Sequence, residues 1–187
     1  MSKEIYISCD IESDGPIPGP HSMLSLGAAA FSLKNGIKPL STLFVNFETL
    51  PGASGDPDTM NWWSTQKEAW DAHRKDIVSP EVGMRNFVNW VDALGGKPVF
   101  VGYPASFDFN FTYWYLIKFI GKSPFSFSAL DIKSFAMCYL KSDFRDTTKR
   151  NMPKMWFDKT VKHNHIAVDD AIEQGVLFMN MLKDSRY

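Results

Sequence analysis

Asn35-Gly36, set between the apolar runs 22–33 and 39–47, constrains the fold of this chain more than any other feature. Asn and Gly accept the left-handed backbone of a tight hairpin, so the two runs predict antiparallel strands joined through Lys34-Asn35-Gly36. A short buried strand over 4–10, ending at Asp10, completes an antiparallel meander. Residues 50–58 are rich in Pro, Gly, Ser and Asp and read as a loop. A helix is predicted next, capped by Asp58 or Thr59 and carrying Trp62, Trp63 and Trp70. Ser79 as cap, Pro80 at the first helical position and Gly95-Gly96 as stop bound the clearest helix. Its Met84, Phe87, Val88, Val91 and Leu94 fall on one face. Residues 98–103 predict a buried strand, and Ser106 a cap for a helix reaching about Phe119. A strand–helix pair near 125–140 and a last helix over 167–183 follow, while 141–160 is polar, basic and without a regular pattern. Strands first, then alternating helices and strands, imply an α/β fold with a mixed central sheet and helices on its faces.

A chain of 187 residues with 44% apolar content suits one domain spanning 1–187 and is short for two. No apolar run approaches the roughly 20 residues of a membrane span. The opening Met-Ser-Lys-Glu-Ile-Tyr lacks the apolar core of a signal peptide, and Cys9 lies inside an apolar run as a buried free thiol would. Both features fit the cytoplasm. A net charge of −1 argues against indiscriminate binding to nucleic acid. The charge is unevenly spread: residues 1–60 carry three Lys against seven Asp and Glu, a balance of −4, and residues 131–165 carry eight Lys and Arg against four Asp, a balance of +4. That asymmetry fits a metal site flanked by a phosphate-binding surface, and equally an ordinary solvated loop. Repeats, low-complexity segments and an obvious docking tail are absent from the sequence.

Asp10 and Glu12 are one residue apart on a predicted strand, so both side chains share a face and Ile11 takes the other. Two adjacent carboxylates repel, and burying them unpartnered is costly. A hard divalent cation removes the conflict, although Asp-x-Glu alone also fits a solvated strand end. Asp108 falls in the first turn of a helix that follows an apolar strand, where the helix dipole favours an acid and where α/β sheets place ligands. His165 and Asp170 flank the start of the last helix.

Asp10-Ile-Glu12, Ser106-Phe-Asp108 and His165-x-x-x-x-Asp170 together resemble the three-motif signature of the DEDDh 3′–5′ exonucleases, from about residue 5 to 182. The segment from His165 to Ala171 and the strand Leu24-Ser-Leu-Gly-Ala-Ala-Ala30 match the flanks of those motifs. The spacing of the last motif selects His165 over His163 and Asp170 over Asp169. The resemblance implies a ribonuclease-H-like fold and two Mg²⁺ or Mn²⁺ ions. Asp10, Glu12 and Asp170 would bind the first ion, Asp10 would bridge to the second, and Asp108 would contribute through a coordinated water. His165 would be the general base, since an unperturbed imidazole pKa near ~6.5 suits proton removal at neutral pH. The implied substrate is the 3′ end of single-stranded DNA or RNA, the product a nucleoside 5′-monophosphate, and a homodimer is compatible. The resemblance does not choose between the sugars, because a 2′-hydroxyl contact lies in loop geometry. A ribonuclease-H-like endonuclease would share the carboxylates without needing His165, and a binding module would have kept the fold alone.

Two departures from the pattern stand out. Tyr103-Pro104-Ala105-Ser106 precedes the Phe-Asp of the second motif, where many relatives carry Asn or His, and Ser13-Asp14-Gly15 replaces a more hydroxyl-rich turn. Asp14 reads as a turn residue or an extra outer carboxylate. For substrate contact the candidates are Ser13, Met23, Leu24 and Phe109, with one of Trp62 and Trp63 able to reach the channel. Lys149, Arg150 and Lys154 could meet phosphates, Asp131 reads as a cap or strand end, and residues 16–20 as a rigid loop beside the first motif.

Overall fold

The computed structural model describes residues 4–161 and 163–186; Lys162, the last residue of the basic segment, lies outside them. One five-stranded sheet runs through the chain in the order β3-β2-β1-β4-β5. β1 (Glu4–Ser13), β2 (Met23–Phe31) and β3 (Ser41–Asn46) form the expected antiparallel meander. β4 (Lys97–Gly102) and β5 (Ala129–Asp131) add to it in parallel, beside β1. Helices α1 (Pro57–Trp63), α2 (Lys67–His73), α3 (Pro80–Ala93), α4 (Ala105–Ile120), α5 (Ile132–Leu140) and α6 (Ala167–Asp184) complete the order. The basic segment forms three short 3₁₀ turns, at Phe144–Asp146, Lys149–Asn151 and Lys154–Trp156.

Strand alternation divides β1 between two cores. Ile5, Ile7, Cys9 and Ile11 pack with Met84, Phe87, Phe111 and Tyr115 from α3 and α4. Tyr6 points the other way, into a core with Trp156 and the α6 residues Val176, Leu177, Phe178 and Met181. Asp10 and Glu12 have the parity of Tyr6 and therefore lie on the α6 side of the sheet.

The structure corrects several local expectations. β1 continues three residues past Asp10, with an irregularity between Glu12 and Ser13, so both acids belong to the strand. β2 and β3 are joined by the nine residues 32–40 rather than by the tight turn Lys34-Asn35-Gly36 alone. Gly36 does take the left-handed backbone there (φ 62°), and the amides of Asn35 and Gly36 both donate to the Ser32 carbonyl. The tryptophan helix is two helices, and its cap is Asp56, whose carboxylate accepts the Thr59 amide at 2.9 Å. Asp56-Pro57 is itself a cap followed by a proline at the first position, two residues earlier than expected. Helix α4 starts at Ala105, not after Ser106, because Asp131 supplies the acceptor for the Ala105 amide at 2.9 Å. No described helix is long and apolar enough to cross a membrane.

Candidate active site

The site forms where β1 outruns its neighbour. β1 pairs with β4 only from Glu4 to Ser8, which leaves later backbone groups of β1 to other partners. The Ile11 amide donates to Asp108 Oδ1 at 3.2 Å, and Gln174 Nε2 donates to the Cys9 carbonyl at 2.7 Å. These bonds fasten α4 and α6 to the strand segment that bears the acids. On the other side, Gly27 lies opposite Asp10 in β2. A Cβ there would stand 2.0 Å from the carbonyl carbon of Ala167, so glycine alone admits the start of α6 at this depth.

That docking brings the two ends of the chain together. Ligand atoms of Asp10, Glu12 and Asp170 all lie within 4.8 Å of one another. Asp108, 3% exposed, is held to the same strand segment by the Ile11 amide, between Asp10 and Glu12 in the chain. Asp170, 2% exposed, receives the amides of Asn164 and His165 at 3.0 and 3.1 Å and His163 Nδ1 at 2.9 Å. His165 Nδ1 is 4.0 Å from Glu12 Oε1. Asp169 turns outward to the Asn164 side-chain amide at 2.8 Å.

Asp10 and Glu12 accept no hydrogen bond from the described residues, so their charge is poorly compensated. Burial, then the charges of Asp108, Glu12 and Asp170, push the Asp10 carboxyl well above its ordinary range. Burial, then Asp170 and Asp108, do the same to Glu12. Burial raises Asp108 to about 7, against the lowering effect of the Ile11 amide. Such a cluster of hard oxygen donors fits a divalent cation, which would relieve all three together. His165 is shifted the opposite way, held below its usual value by burial and by His163.

Two cavities flank the acids. One, of 360 Å³, is lined by Asp10, Tyr103, Lys149, His163, Asp170 and Gln174. Lys149 pairs there with Glu173 and lies 5.4 Å from the Tyr103 ring centroid. The other, of 310 Å³, runs from Glu12 past Pro16, Thr59, Trp62, Trp63 and Phe107. Trp62 is 39% exposed and meets the His165 ring edge-on at 4.9 Å, whereas Trp63 is 2% exposed and donates its indole N–H to the Ser13 carbonyl.

Not every candidate reaches this cleft. Met23 and Leu24 are 0% and 1% exposed, Met23 in the α3–α4 core and Leu24 against Trp63, so neither presents a surface to a substrate. Phe109 packs against Phe100 at 5.0 Å between ring centroids. Ser13 lines the second cavity but donates its hydroxyl to the Gly15 carbonyl at 2.7 Å. Asp14 is a turn residue that accepts the Ser22 amide. Arg150 and Lys154 do not line either cavity, unlike Lys149. Phe107 and Gln174 join the site without having been singled out; Gln174 is one helical turn past Asp170, a spacing that puts both on one face of α6.

No family model matches the sequence. A 3′-5′ DNA exonuclease of Escherichia coli, Cap18, is 34% identical over 181 residues, which is 94% of this chain and 90% of that protein. A full-length 3′-exonuclease superposes with a TM-score of 0.74 at 13% identity, covering 99% of this chain and 84% of that one. The nuclease domain of 3′hExo, a DEDDh family member bound to rAMP, superposes with a TM-score of 0.69 at 14% identity, covering 98% and 92%.

Proposed function

This chain belongs to the 3′–5′ exonucleases, and we propose that it is of the DEDDh type and removes nucleotides one at a time from the 3′ end of single-stranded DNA, as one exonuclease unit, with Asp10, Glu12, Asp108 and Asp170 as cation ligands and His165 as general base. The observation that carries this reading is the convergence of Asp10, Glu12 and Asp170 within 4.8 Å, with His165 Nδ1 4.0 Å from Glu12. DNA is preferred over RNA because the E. coli relative, 34% identical over nearly the whole chain, acts on DNA by its name.

Two Mg²⁺ or Mn²⁺ ions would neutralise the charge developing on the phosphate oxygens and make water a stronger nucleophile. The protein supplies the rest. Its carboxylates are gathered before the cation arrives, at the expense of their own ionisation. Burial, then the neighbouring His163, hold the His165 pKa below its usual value, which favours the neutral imidazole that can accept the proton of the attacking water. Water oxygen bonds to phosphorus, the bond from phosphorus to O3′ breaks, the shortened strand keeps that oxygen and takes up a proton from solvent as a 3′-hydroxyl, and a nucleoside 5′-monophosphate leaves. Trp62 and Phe107 give the terminal base apolar surface in the cavity beside Glu12, a sequence-tolerant contact that an exonuclease needs. Lys149, in the cavity on the other side, offers a cation to a backbone phosphate.

The test is hydrolysis of 5′-labelled single-stranded DNA and RNA with Mg²⁺, with Mn²⁺ and with EDTA, for the native protein and His165→Ala. A ladder shortening from the 3′ end is expected on DNA, absent in EDTA, and slowed about 10²- to 10⁴-fold in the variant. Full activity in EDTA would remove the cation from the mechanism, and full activity of His165→Ala would remove the base.

A further inference from the structure

We propose that His73 is a positioning residue for the exonuclease reaction: from the core below the cleft it holds the main chain of His165, and through it the imidazole that faces Glu12. The inference rests on His165 being the general base. His73 closes helix α2 and is 0% exposed. Its ring is packed edge-on against Trp63 at 5.3 Å and Phe44 at 6.1 Å. Nε2 lies 2.7 Å from the His165 carbonyl oxygen, and Nδ1 has no partner among the described residues. A carbonyl only accepts, so the proton of this ring belongs on Nε2 and Nδ1 is bare. Burial favours that neutral form.

The bond matters because of what it restrains. His165 has φ of 60°, a left-handed backbone that a side chain with a Cβ rarely adopts and that persists only where the surroundings hold it. Two bonds grip this residue. Its amide donates to Asp170 Oδ2 at 3.1 Å, and its carbonyl receives His73. Asp170 is also committed to His163 and to the cation site, so His73 is the anchor with no other task. Trp62, from the same α1–α2 region, adds an aromatic edge against the His165 ring. Without the His73 donor, His165 can leave the left-handed conformation, and its ring swings off the position facing Glu12.

The experiment is a cycle of His73→Phe, His165→Ala and the double variant, with His73→Gln as the conservative change. Steady-state kinetics are measured on single-stranded DNA with Mn²⁺, and thermal unfolding reports the folded state. His73→Phe keeps a packed ring and loses the donor; kcat is expected to fall about 10- to 100-fold, with KM little changed. His73→Gln, which can place an amide N–H near the lost one, recovers most of that loss. In the His165→Ala background, His73→Phe has no further effect, because the two act through one imidazole. An equal loss in both backgrounds, or no loss in the native one, overturns the proposal. Full activity of His165→Ala alone overturns the base assignment instead, so the two failures are told apart. Should the variants not fold, the histidine ring nitrogens of the native protein decide: protonation on Nε2 at neutral pH is expected, and an Nδ1-protonated neutral ring overturns the proposal.

Discussion

At the scale of single residues, the cleft holds acids in a state that disfavours them. Asp108 is the clearest case, buried to 3% exposure with its pKa raised to about 7. An acid with a raised folded-state pKa binds a proton that the unfolded chain has already released, so it lowers stability at pH above that pKa. Asp108→Asn keeps an oxygen for the Ile11 amide and removes the ionisable group. In EDTA at pH 8 it is expected to raise the unfolding free energy by about 1–3 kcal/mol in urea titrations, while exonuclease activity falls. A loss of stability would mean that the cluster already holds Asp108 without strain. The same scale shows what sequence could settle. The parity of Asp10 and Glu12 on a strand and the spacing from His165 to Asp170 both survive in three dimensions, since each depends only on local backbone geometry. The exposure of Met23 and Leu24 was beyond it, because α3, α4 and Trp63 bury them from distant parts of the chain.

At the scale of elements, one side chain joins the starts of two helices. Asp131 Oδ2 accepts the Ala105 amide at the head of α4, and Oδ1 accepts the Ser134 amide at 2.7 Å and its hydroxyl at the head of α5. Sequence offered Asp131 as a cap or a strand end, but α4 begins 26 residues earlier, and only the parallel pairing of β4 with β5 brings the two together. Asp131→Ala leaves both helix heads without that acceptor. The expected cost is about 1–3 kcal/mol of unfolding free energy. Because α4 carries Asp108, weaker Mn²⁺ binding should accompany it, measured by calorimetry. Unchanged stability would show that water replaces the carboxylate at both heads. The division of the tryptophan helix into α1 and α2 was also out of reach of local pattern, since Ser64, Thr65 and Gln66 carry neither Gly nor Pro to mark the break.

For the whole molecule, the metal-free protein should respond to pH in a direction set by this cleft. Asp10, Glu12 and Asp108 have raised pKa values, and the bond to Asp170 raises His163. Each binds a proton more tightly folded than unfolded, so each costs stability as pH rises through its folded-state value. His73 is lowered by burial and acts oppositely, losing stability as pH falls below the unfolded histidine value near ~6.5. Above that value its contribution is constant. Thermal unfolding in EDTA is therefore expected at lower temperature at about pH 8.5 than at about pH 6.5. Saturating Mg²⁺ should raise the midpoint more at the higher pH, because binding competes with protons for the same oxygens. A midpoint independent of pH, or a larger Mg²⁺ effect at the lower pH, would contradict the charge repulsion described for the cluster. The overall architecture was legible in outline because meander and helix–strand alternation are written in local pattern, whereas the long β2–β3 connection kept the strand pairing and lost the tight turn.

Gln174 reaches Cys9 across 165 positions of sequence, and Asp170 meets Asp10 beside it. During synthesis the strand bearing the first two acids emerges well over a hundred residues before the helix bearing Asp170. A nascent chain halted before residue 165 has Asp10, Glu12 and Asp108 but neither His165 nor Asp170. Such a fragment lacks the acid that closes the cluster, so the carboxylates stay unassembled through most of translation and come together only when α6 docks.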